Sequence, residues 1–94
     1  MRFEWDPEKQ KRNQSKHGVT FDEAVTVFFD PLAATFEDPD HSLEELRFIT
    51  LGYSTDRRLL LVSDTERGDV IRIISARRAR PRERKRHESN QENS

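Results

Sequence analysis

The stretch that decides the fold is Val70–Glu88, VIRIISARRARPRERKRHE. Its first half is β-branched and bulky at Val70, Ile71, Ile73 and Ile74, the composition of a buried strand. Its second half holds seven basic residues among ten (Arg77, Arg78, Arg80, Arg82, Arg84, Lys85 and Arg86), with Glu83 the single acid. Pro81 suits the first turn of a helix, and Glu83 suits that helix's positive end. A rigid strand thus delivers a cationic helix to one edge of the domain. That arrangement holds guanidinium groups against a polyanion.

The rest of the chain supplies the sheet and the core. Phe3 and Trp5 alternate with Arg2, Glu4 and Asp6, as in a short strand with one buried face. Asp6-Pro7 opens a helix, with Asp6 as its cap. That helix is almost wholly polar to about Lys16, and it shows Lys9, Arg12 and Lys16 to solvent. Gly18 ends it as a left-handed cap. Thr20-Phe21-Asp22-Glu23 reads as a capping box, Glu23 being the partner of Thr20. The helix it opens carries Ala24, Val25, Val27, Phe28 and Phe29 on a broad apolar face, and Asp30-Pro31 stops it. Leu32–Phe36 is a short strand candidate. Then come the acidic loop Glu37–Glu45 and a meander: Leu46–Tyr53, Arg58–Asp64 and Val70–Ser75, with Gly68 supplying positive φ in the last hairpin. The expectation is an α+β fold, a small antiparallel sheet with two N-terminal helices and a short basic C-terminal helix. Residues 1–88 form one domain, and 89–94 read as a disordered polar tail.

Composition narrows the function. In 94 residues, 32% are hydrophobic and 37% charged, so the core is small and the surface dense with charge. The absence of cysteine excludes disulfides and thiolate metal sites, and makes the cytoplasm the default compartment. No apolar run reaches the roughly 18 residues of a membrane span, and Met1-Arg2-Phe3-Glu4 does not open a signal peptide. The net charge of −1 hides an asymmetry. Residues 1–70 carry 9 basic and 15 acidic residues, about −6, whereas residues 71–94 carry 8 and 3, about +5. Such segregation presents a basic face to an anionic partner.

Three candidate chemistries follow. Asp38, Asp40 and His41 could ligate a divalent cation, but no second cluster completes a site and Asp-Pro-Asp is ordinary turn chemistry, so no metal is expected. Lys16-His17 could supply a base or a phosphate contact, or simply interact with the end of the helix dipole. Arg80, Arg84 and His87 fall on one helical face beside Arg77. Guanidiniums that stabilise phosphate, with a histidine to move protons, are the parts needed to cleave RNA without metal. The ribose 2′-hydroxyl is then the nucleophile, and the protein neutralises the phosphorane and protonates the departing 5′-oxygen. The rival reading is a basic helix that only binds nucleic acid.

Taken together, FEWDPEKQKRNQSKHGVTFDEAVTVFFDP, DPDHSLEELRFITLGYS and VIRIISARRARPRERKRHE resemble the BrnT family of bacterial type II toxins, over about residues 3–88. The resemblance implies a RelE-like ribonuclease without a cofactor. It also implies inhibition by a neighbouring BrnA-type antitoxin, which binds operator DNA through a ribbon-helix-helix domain. The motif positions that match are Lys16, His17, Arg47, Arg72, Arg77, Glu83 and Arg84. Many relatives carry tyrosine where this chain has His87. The expected catalytic set is Arg77, Arg80, Glu83, Arg84, His87, Lys16 and His17. The expected RNA-binding set is Arg47, Arg72, Arg78, Arg82, Lys85 and Arg86. The alternative is a decayed toxin that retains nucleic-acid or antitoxin binding alone.

Overall fold

The computed structural model describes residues 1–41 and 45–92. Strand β1 (Arg2–Glu4) leads into helix α1 (Pro7–His17) and helix α2 (Phe21–Val27), followed by β2 (Ala34–Glu37) and a 3₁₀ turn at Pro39–His41. Strands β3 (Arg47–Tyr53), β4 (Leu59–Arg67) and β5 (Val70–Arg78) then precede helix α3 (Pro81–Glu92). The five strands form one sheet in the order β1-β5-β4-β3-β2. The meander β2–β5 is antiparallel, and β1 joins β5 in parallel, Phe3 lying beside Ile71. The fold is α+β, as the sequence reading expected.

Strand alternation divides the sheet into two faces. Leu60, Val62, Ile71, Ile73 and Ala76 turn toward α1 and α2, where they pack with Val19, Phe21, Ala24 and Val27 in the main core. A register shift beside Ser63/Asp64 lets Ile73 and Ala76, three positions apart, both reach that core. The aromatic residues of β1 and its sequel complete this face. Phe3 meets the ring of Phe28 at 5.2 Å, and Trp5 meets Phe21 edge-on at 6.1 Å. Leu51 and Leu61 point to the opposite face, toward α3.

Local signals set most of the boundaries. Asp6 Oδ1 accepts from the Glu8 N–H at 2.9 Å, and Gly18, at φ 68°, donates its N–H to Gln14 O. Gly68 turns the last hairpin at φ 63°. Three expectations change. Helix α2 ends at Val27, so Phe29 does not join the core face and is 69% exposed. Only half of the capping box forms: Thr20 Oγ1 accepts from the Glu23 N–H at 3.1 Å, while the Glu23 carboxylate turns to Arg58. Helix α3 runs on to Glu92, through most of the stretch whose composition reads as a disordered tail. Residues 93–94, and residues 42–44 of the acidic loop, lie outside the described residues.

Candidate nucleic-acid interface

The basic helix is anchored to the strand that delivers it. Arg77, near the end of β5, makes two parallel bonds to Glu83 in the first turn of α3, Nη1 to Oε1 at 2.9 Å and Nη2 to Oε2 at 2.8 Å. Glu83 Oε1 also accepts from the Arg80 N–H at 2.7 Å, an otherwise unsatisfied donor at the helix start. The Arg77 guanidinium holds the Glu83 carboxyl down at about 2, against a smaller opposing effect of burial. The same bond raises the affinity of Arg77 for its proton. A third bond joins Arg77 Nη1 to Arg78 O at 3.2 Å, which leaves two of the guanidinium's five N–H donors unengaged by the described residues.

This anchor decides which face of α3 looks inward. His87, one turn beyond Glu83, is buried at 3% exposure with its ring 6.3 Å from that of Tyr53. A cavity of about 320 Å³ remains between α3 and the sheet. Its floor is apolar: Ala34, Phe36, Ile49, Leu51 and Leu61. Its wall is polar and basic, formed by Arg82, Glu83, Arg86, His87 and Asn90. The helical spacing expected to group Arg80 and Arg84 with His87 therefore groups differently here. Arg82 and Arg86 share the cavity with His87, whereas Arg84 faces Glu88 at 3.9 Å and Arg80 is exposed.

The remaining expected residues fall into three places. Lys16 and His17 line a groove with Lys9, Arg12, Ile74 and Ser75, between α1 and β5. Ser75 precedes Arg77 by two positions, so β5 connects that groove to the anchored helix. Arg78 and Lys85 are exposed. Arg72 is half-buried and lies 3.6 Å from Glu4, and Arg47, on β3, is half-buried at the far end of the sheet from α3. Among the described residues, no three His, Cys, Asp or Glu side chains gather as a metal site would require. No helix among them is long and apolar enough to cross a membrane.

Two structural groups escape the sequence reading. Asn13, the buried residue of polar α1, bonds the backbone of Ala76 on both sides: Nδ2 donates to Ala76 O at 2.8 Å, and Oδ1 accepts from Ala76 N at 3.0 Å. Nδ2 also donates to Val19 O at 2.9 Å. The side chain thus acts as a strand against β5 beyond the reach of β1. Glu23 accepts from Arg58 Nε and Nη2, a side-on pair, and from Ser54 Oγ at 2.7 Å, and Arg58 in turn donates to Gly18 O at 3.1 Å. Arg58, foremost, keeps the Glu23 carboxyl below its ordinary value. The K-H-G-V-T-F-D-E-A stretch therefore fastens both helices to the β3–β4 turn.

These features can be set beside known proteins. Residues 5–83 match the family described as the ribonuclease toxin BrnT of type II toxin–antitoxin systems. The crystal structure of the Brucella abortus ribonuclease toxin BrnT superposes with a TM-score of 0.67 at 23% identity, covering 85% of this chain and 97% of that one. At that identity the likeness is one of fold. A comparison with curated proteins gives no match. The family match spans most of the sequence, from Trp5 on the way into α1 to the Glu83 anchor of α3, and the chain belongs to the BrnT family of ribonuclease toxins of type II toxin–antitoxin systems.

Proposed function

We propose that this chain is a metal-independent endoribonuclease that acts in the cytoplasm, arrests growth by cutting RNA needed for translation, and is neutralised by a cognate antitoxin. The antitoxin is of the ribbon-helix-helix type, and operator DNA is reached only through it. The observation that carries this reading is the Arg77–Glu83 anchor, which holds a helix dense in guanidiniums in one orientation over the sheet. Orientation is what separates a catalytic array from a merely attractive one.

In this reading Glu83 positions rather than reacts, because its carboxylate is already engaged by Arg77 and the Arg80 N–H. Arg77, with two donors left, and the neighbouring Arg80 meet the scissile phosphate. Arg82 and Arg86 hold the adjoining nucleotides, and Arg84, Lys85 and Arg78 attract the backbone. His87 protonates the leaving 5′-oxygen once RNA enters the cavity it lines. Lys16 or His17, across β5, assists the attacking 2′-hydroxyl. The test is cleavage of free RNA with a chelator present, using one substrate that is 2′-deoxy at the cleaved position. Cleavage that survives the chelator, leaves 2′,3′-cyclic phosphate ends and spares the deoxy position is expected. Activity that needs added Mg²⁺, or that cuts the deoxy position, contradicts the mechanism.

A further inference from the structure

The two edges of the sheet are treated differently. Past the end of short β1, the exposed rim of β5 is closed by the Asn13 side chain. Strand β2, at the other edge, is bare: all four of its residues are exposed, and its outer rim pairs with no strand among the described residues. Natural sheets usually blunt such an edge with lysine, proline or a covering segment. Here the strand offers Phe36, 49% exposed. Phe36 and Ala34 also form the outer lip of the cavity under α3, whose far wall carries Arg82 and Arg86. Neither guanidinium has an ion-pair partner among the described residues.

We infer that β2 and this cavity together are the docking site for an extended acidic–apolar segment of the antitoxin. The segment's backbone adds a strand to the rim of β2, as exposed edges allow. Alternate side chains then enter the cavity: an apolar one meets Leu51 and Leu61, and a flanking carboxylate meets Arg82 or Arg86. Charge complementarity selects this occupant, because a purely apolar segment would leave two cations half-covered and a purely acidic one would leave the floor unfilled. Docking here covers the guanidiniums that the ribonuclease reading assigns to RNA, and the inference rests on that reading for its inhibitory consequence.

The experiment measures the affinity of the whole chain for the antitoxin encoded beside it, with growth arrest as a separate readout. Phe36→Asp is expected to lower affinity by at least tenfold. Phe36→Leu should retain near-normal affinity, and Phe29→Asp, an exposed aromatic away from the cavity, should leave it unchanged. Amide hydrogen exchange in the wild-type complex should slow across residues 34–37. Unchanged affinity in Phe36→Asp, or unslowed exchange in β2, overturns the inference. Loss of RNA cleavage with antitoxin binding intact overturns it too, and assigns the cavity to substrate. A wild-type chain that binds the antitoxin through β2 yet does not arrest growth supports the docking site and counts against the ribonuclease reading instead.

Discussion

The two faces of the sheet obey different rules. On the face covered by α1 and α2, nearly every buried polar group is answered: Asn13 by Ala76 and Val19, Glu23 by Arg58 and Ser54. The face under α3 is held at one end by Arg77 and Glu83, and then opens into a cavity with exposed cations along its wall. A close-packed, satisfied face gives stability and leaves little to bind. A face held at one point, with room and unpaired charge beyond, is where a ligand can enter. The contrast implies that substitutions on the first face change how much protein is folded, and substitutions on the second change what the folded protein does.

The largest break is expected at the covered face. Glu23→Ala leaves the Arg58 guanidinium and Ser54 hydroxyl without their partner in a half-buried site, a loss on the order of 3–4 kcal/mol. Denaturant midpoints read it, and cleavage per folded molecule should stay near the wild-type level.

Next comes the anchor of α3. Glu83→Gln should lower cleavage about a hundredfold by letting the helix shift, a positioning effect that shows as a fall in kcat with KM little changed. The wild-type anchor is also pH-dependent. Because the Glu83 carboxyl is held at about 2 when folded, its contribution is present above the ordinary carboxylate range and is lost as pH falls from about 4.5 toward 2. The wild-type protein should thus destabilise across that window more steeply than Glu83→Gln. Parallel acid titrations of the two would contradict the anchor.

Among the described residues, Gln10 Oε1 and Asp64 Oδ1 are buried without a partner, and Asp64 departs furthest from the rule for the covered face. Asp64 is fully buried and, among the described residues, its Oδ1 has no hydrogen-bond partner and its Oδ2 receives only a long 3.4 Å bond from Thr50. Burial, aided by the nearby Glu66 charge and opposed by Thr50, raises its carboxyl to about 7. A raised acid binds its proton better in the folded state, so stability falls as pH climbs from about 4 to 7. Asp64→Asn should remove that penalty and stabilise the protein by about 2 kcal/mol at pH 8, with little effect at pH 4. Equal effects at the two pH values would exclude titration of Asp64 as the cause.

The smallest effect is expected at Lys85, exposed on α3 away from the cavity wall. Lys85→Ala should cost about 1 kcal/mol or less in apparent RNA affinity, and the cost should shrink as salt rises.

How much of this was legible depends on how local the signal is. Pro81, Thr20, Gly18 and Asp6 act on their own neighbours, and each boundary they mark falls within a few residues of its expected place. The strand-to-basic-helix junction was legible for the same reason. Asn13 was not, since its partners at Ala76 lie 63 positions away and an asparagine in a polar helix gives no sign of burial. Glu23 misled because a capping-box glutamate and a buried ion-pair partner look alike until Arg58 is placed beside it. The rotation of α3 was hidden by its composition. A helix without an apolar stripe carries no marker of its inward side, and here the Arg77–Glu83 bond, with His87 buried beside Tyr53, sets which side faces the sheet.

The central claim is that the α3 face is an oriented catalytic array rather than a cationic surface. The most direct measurement is the cleavage rate of alanine variants at Arg77, Arg80, Arg82, Arg84, Lys85, Arg86 and His87, each at two salt concentrations. The account predicts losses of about 2–4 kcal/mol in barrier at Arg77 and Arg80, and of roughly 10²–10⁴-fold in rate at His87, all nearly independent of salt. It predicts small, salt-sensitive losses at Arg84 and Lys85. Equal, salt-sensitive losses at all seven positions would contradict it, and would leave α3 as a helix that only binds.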